Sequence, residues 1–109
     1  MTCLYEILVP TVRPDKPDKY FKTRYHKVWD SKVRAITKGL TILKPVKGEW
    51  VSPAGELFAE RMIPVRICCT EEEIEKVADM TAAYYGQIAI LYYKISDFVK
   101  IKHYPVKDA

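Results

Sequence analysis

The chain has 109 residues, 49% of them apolar and 29% charged, with a net charge of +4, a composition that suits one folded domain with a modest core. No apolar run approaches the roughly 20 residues that cross a bilayer, and MTCLYEILVP has neither the basic stretch nor the small-residue cleavage site of a signal peptide. Three cysteines, an odd number, do not make a disulfide framework, so the expectation is one domain over residues 1–109 in a reducing cytoplasm, without membrane contact.

In chain order, residues 4–10 (LYEILVP) read as a strand, and Pro10, Pro14 and Pro17 then break the chain into a loop. From about Asp18 to Lys38, apolar residues recur at Phe21, Tyr25, Val28, Trp29, Val33 and Ile36, which is helical spacing. Asp18 is the expected N-cap and Gly39 the expected residue past the C-terminus. Residues 40–43 read as a second strand and residues 45–48 as a turn that delivers Glu49, Trp50 and Val51. Ser52-Pro53-Ala54-Gly55 reads as a tight hairpin turn. Residues 56–69 form a long third strand. Thr70 with Glu73 makes a capping box, with Glu71 and Glu72 adding negative charge at the helix start. That helix carries Ile74, Val77, Ala78, Thr81, Ala82 and Tyr85 on one stripe and stops at Gly86. Residues 87–94 and 98–104 read as fourth and fifth strands.

This order predicts an α+β ferredoxin-like β-α-β-β-α-β plait, an antiparallel sheet with two helices on one face and a C-terminal hairpin strand. Alternation along residues 56–69 puts Ile63, Val65, Ile67 and Cys69 on one face. Phe58, Glu60, Met62, Pro64 and Arg66 fall on the other. Both faces carry large apolar groups, yet two helices cover one face only. A homo-oligomer built on the open face is expected.

Charge is unevenly spread. Residues 1–48 carry 11 Lys/Arg against 4 Asp/Glu, and residues 49–109 carry 7 against 10. A basic half invites nucleic acid; a solvated helix face, or subunits meeting basic to acidic, is the plainer reading and the one preferred. The strands lack the aromatic pattern of an RNA-recognition motif.

Glu60, among apolar neighbours, is the candidate catalytic carboxylate; the plainer reading pairs it with Arg61 or Arg66 at the surface. Gln87 opens a strand beside Gly86, where its amide can reach a ligand or simply start the strand. Trp50, Phe58 and Tyr85 are candidate stacking residues, or ordinary core and interface. His26 and His103 lack metal-ligand spacing, no Cys/His pattern occurs, and there is no nucleophile elbow or phosphate loop. No metal and no cofactor is expected.

The run GLTILKPVKGEWVSPAGELFAER (residues 39–61) resembles a family of small bacterial domains of uncharacterised function, with a GLT-hydrophobic strand, a G-Q/E-W turn and a P-x-G hairpin followed by Glu. The chain also resembles the phage-encoded S-adenosylmethionine lyases, formerly called hydrolases. The shared features are Glu60 ahead of Val65-Arg66-Ile67-Cys68, the helix ending Tyr85-Gly86-Gln87, and an apolar strand ending Tyr93-Lys94. The second resemblance implies a trimer with its ligand between subunits, in the host cytoplasm if the protein is phage-encoded. It implies that the substrate's own carboxylate attacks its γ-carbon, releasing methylthioadenosine and homoserine lactone. Glu60 would hold the cationic part of the substrate, with Gln87, Trp50, Phe58 and Tyr85 around the rest. The alternatives are a non-enzymatic oligomeric interaction protein and a nucleic-acid-binding plait using the basic helix.

Overall fold

The computed structural model describes residues 1–16 and 18–107. In it the chain runs β1 (Cys3–Pro10), α1 (Thr23–Thr37), β2 (Thr41–Ile42), β3 (Val46–Val51), β4 (Leu57–Cys69), α2 (Glu71–Tyr85) and β5 (Tyr92–Ser96). The strands form one antiparallel sheet in the order β2-β4-β1-β5, with β3 also pairing β4. β2 and β3 lie end to end along the same edge of β4, opposite Val65–Arg66 and Leu57–Met62 respectively. Together they are the second strand of a ferredoxin-like plait, interrupted around Pro45, which has no N–H to give the ladder.

The core lies between sheet and helices. Cys3, Tyr5, Ile7 and Val9 of β1 and Val65, Ile67 and Cys69 of β4 point to the same side. Trp29 and Val33 of α1, and Ile74, Val77 and Tyr85 of α2, cover them. Trp29 keeps its indole satisfied by donating to Thr81 Oγ1 at 2.9 Å, and Thr81 in turn donates to the Val77 carbonyl, so neither buried polar group is left unpaired.

α2 begins as expected. Thr70 Oγ1 accepts from Glu73 N–H at 3.2 Å while Glu73 Oε1 accepts from Thr70 N–H at 2.9 Å. Gly86 closes the helix at φ +67, a conformation that only glycine adopts without strain. The 52–55 turn also forms, with Gly55 N–H bonded to the Ser52 carbonyl and Gly55 at φ +85.

Five expectations are corrected. α1 starts at Thr23 with Lys22 as N-cap, and Asp18 caps nothing. The cause is a loop: Arg13 N–H bonds Lys19 O, Phe21 N–H bonds Thr11 O, and Val12 bridges Tyr20, which ties residues 11–13 to residues 19–21 before the helix can begin. At the other end the left-handed residue is Lys38, at φ 74, and not Gly39. Residues 46–48 are strand and not turn, because β3 keeps full register with β4 from Val46 to Val51. Residues 87–91 cross back from Gly86 outside any strand, with Ile90 packed against the core and Leu8 N–H bonded to Leu91 O. Strand β5 therefore begins at Tyr92, not at Gln87. Residues 98–104 form no strand: Ser96 Oγ accepts from Phe98 N–H and turns the chain off the sheet edge. Pro17 lies outside the described residues.

The shape is elongated. Principal extents are 58 × 30 × 22 Å and the radius of gyration is 16.0 Å, against about 13 Å for a compact chain of this length. Here β3 and the first half of β4 run on past the helices as a two-stranded arm.

Candidate functional site

The arm brings three of the expected site residues together. Trp50 pairs with Phe58 across the ladder, and their rings stack at 4.6 Å between centroids and 17° between planes. Glu60 lies two residues further along β4 on the same face, opposite Gly48. The Met62 side chain lies over the bare backbone of Gly48: a Cβ there would come within 2.5 Å of Met62 Cε and would push that flexible end aside. Glu60 is exposed within the single chain, and among the described residues it forms no ion pair with Arg61, Arg66 or any other cation. A stacked aromatic pair beside a solvent-facing carboxylate suits a ligand with a flat ring and a positive charge.

Gln87 sits at the same end of the sheet on the far side of β1, because β1 separates β4 from β5. Its Nε2 donates to the Tyr85 carbonyl at 3.2 Å. Tyr85 belongs to a different layer. It is 2% exposed on the core side of α2 and packs edge-on against Phe21 at 4.9 Å. Its hydroxyl meets His26 Nδ1 at 2.6 Å. Burial pushes the Tyr85 hydroxyl up and the His26 imidazole down from their ordinary values, so both groups favour their neutral forms in this hydrogen bond. In this chain Tyr85 is a core residue that locks α2 to α1.

The open face of the sheet holds a group that sequence reasoning missed. Glu6 on β1, 8% exposed, is opposite Arg66 on one side and Tyr93 on the other. Arg66 Nε donates to Glu6 Oε1 at 3.0 Å, and the Tyr93 hydroxyl donates to Oε2. Those bonds hold the Glu6 carboxyl below its ordinary value, Tyr93 contributing most and Arg66 next, against the opposing effect of burial. The buried carboxylate of the sheet is Glu6, and its charge is already met. Glu6 reads in sequence as one polar residue in an alternating strand. Its partners lie 60 and 87 residues away, so no local signal marks it.

No protein-family model and no curated protein matches the chain. Solved structures do match its backbone. The periplasmic divalent cation tolerance protein CutA from Archaeoglobus fulgidus superposes with a TM-score of 0.66 at 13% identity, over 94% of this chain and 89% of that one. The divalent cation tolerance protein Cut A1 from Thermus thermophilus gives 0.63 at 10%, over 96% and 88%. A phage SAM lyase in complex with S-methyl-5′-thioadenosine gives 0.59 at 15%, over 87% and 89%. The fold is the one shared by these CutA proteins and the SAM lyase. Among the described residues no group of three or more His, Cys, Asp or Glu gathers as metal ligands, and no helix is long and apolar enough to cross a membrane.

Proposed function

We propose that this chain is an S-adenosylmethionine lyase that works as a homotrimer, in the cytoplasm, with substrate bound between subunits. The observation that carries the reading is the Trp50–Phe58 stack beside an unpaired Glu60 on an arm that projects beyond the chain's own core. Support also comes from a fold shared with a SAM lyase and from the Glu60 and Tyr85-Gly86-Gln87 motifs.

The chemistry asks little of the protein. A carboxylate oxygen of the substrate bonds to its own γ-carbon, the C–S bond breaks, and the electron pair goes to sulfur. A carboxylate and a sulfonium become a neutral lactone and a neutral thioether, so no proton needs to move. Charge is lost on the way to the transition state, and a dry site favours that. Fixing the chain in attack geometry supplies several kcal/mol more. A carboxylate held against the sulfonium would stabilise the ground state and slow the step. Glu60 is therefore assigned to the substrate's α-ammonium group, which stays charged throughout. Trp50 and Phe58 take the adenine, and Gln87 comes from a neighbouring subunit.

Apolar surface supports self-association. Val46, Trp50, Phe58 and Tyr93 lie on the open face by their register and are all exposed, and packing of copies through that face would cover such groups. The test is incubation with S-adenosylmethionine and detection of methylthioadenosine. Glu60→Gln is expected to abolish turnover while the assembly persists in sedimentation. A variant as active as the parent sinks the role given to Glu60.

A second reading, a non-enzymatic interaction protein, is favoured by one observation. The CutA neighbours match the backbone at least as well as the lyase does. Absence of methylthioadenosine from an intact oligomer would select it.

A further inference from the structure

The loop before α1 and the first turn of α1 line an open concavity of about 530 Å³, large enough for a nucleotide-sized ligand. Five of its lining residues are cations: Arg13, Lys16, Lys19, Lys22 and Arg24. One carboxylate reaches any of them, Asp15, whose Oδ1 lies 3.3 Å from Arg13 Nε, with both side chains about half exposed. Among the described residues the other four cations make no ion pair. Five like charges around one hollow repel each other, and nothing in the folding of the loop requires them. A bound polyanion would reverse the sign of that interaction. The first turn of α1 has no acidic residue and no side-chain cap, so no fixed negative charge at the helix start offsets them. Tyr20, 68% exposed, stands on the lining and offers a flat apolar face.

We infer that this hollow binds a small polyphosphate-bearing molecule, of the class of a nucleoside triphosphate, independently of the arm. The cations converge on one concavity instead of forming a track. Further along α1, the Asp30 carboxylate sits close enough to Arg34 and Lys27 to interact with their charges, which interrupts the basic surface that a strand of nucleic acid would need. The site contains neither Glu60 nor Trp50, so its occupancy does not depend on turnover of S-adenosylmethionine.

The experiment is calorimetric titration of the full chain with inorganic tripolyphosphate and with ATP at about 50 mM and about 200 mM salt. Saturable binding of both is expected, weaker at the higher salt. Tighter binding of ATP would add a stacked base on Tyr20; equal binding would assign recognition to the phosphates alone; both support the site. The double variant Lys19→Glu/Arg24→Glu is expected to lose affinity by about tenfold or more, with its thermal melt unchanged. If that variant fails to fold, Lys16→Gln/Lys22→Gln gives the same reading without adding negative charge. Absence of saturable binding at low salt overturns the proposal, as does affinity unchanged in the folded variants. A single-stranded oligonucleotide that binds more tightly with length, where tripolyphosphate does not bind, also overturns it and makes the patch a nucleic-acid surface.

Discussion

β4 is one strand in two settings. From Ile63 to Cys69 it lies between β1 and β2 with helices over one face, and Val65, Ile67 and Cys69 are all but sealed from water. From Leu57 to Met62 it has β3 on one side and no helix above, and every residue to Arg61 is exposed. Alternation of apolar side chains continues through both halves, so composition does not separate them. What separates them is where α1 and α2 stop. The inner half carries one charge, Arg66, and pairs it with the buried Glu6 of β1. The outer half leaves Glu60 free to bind something else.

The sharpest break of this contrast is truncation in each half. Ile67→Ala, at a site 1% exposed, is expected to cost about 3 kcal/mol in urea unfolding. Leu57→Ala, at 65% exposure, should cost under about 0.5 kcal/mol in a dissociated chain, and in the oligomer should shift the association equilibrium instead. Equal costs for the two in a monomer would put the arm inside the core.

Next in size is the ion pair of the inner half. Arg66→Met leaves Glu6 buried without its cation, and because Arg66 is half exposed the expected cost is about 2 kcal/mol, below that of a sealed pair. The same network sets a pH dependence. Glu6 has a lowered pKa in the folded chain, so its contribution is complete above its unfolded value, about 4.5. It is lost as pH falls from there through the folded value. Denaturant midpoints between about pH 6 and pH 3 should fall less for Glu6→Gln than for the parent. Parallel curves would mean that other carboxylates govern acid unfolding.

The smallest expected change in stability is at Glu60. Glu60→Gln should move the unfolding free energy by less than about 0.5 kcal/mol, since Glu60 makes no ion pair among the described residues. A large loss would show that Glu60 is structural and that the arm's face is not a binding surface.

Much of the plait was legible because its signals are local. The Thr70/Glu73 box, Gly86, and the Ser52–Gly55 turn each act within five residues, and each is where the sequence places it. The misplaced boundaries depend on distant partners. The helix start at Thr23 is set by the Val12–Tyr20 bridge. Residues 98–104 alternate as a strand does, but no neighbouring strand of this chain accepts them. The candidate site divides in the same way. Phe58 and Glu60 share a face by two-residue periodicity, which sequence shows, whereas Trp50 joins them only through its cross-strand register with Phe58. Tyr85 has the same residue type as a stacking group, and only packing against Phe21 and His26 makes it core.

The two-stranded arm has a kinetic consequence. A lone hairpin is marginal in water, so amides at 46–51 and 57–62 can open without disturbing the helices. Hydrogen exchange there should be fast in dilute protein and slow as concentration rises, if copies dock on the arm. Exchange at Cys3, Tyr5, Ile7, Val65 and Ile67, which sit in the β1–β4 ladder, should not follow concentration in the same way. The arm is thus a built-in reporter: its amides would sense a neighbour before any catalytic assay could.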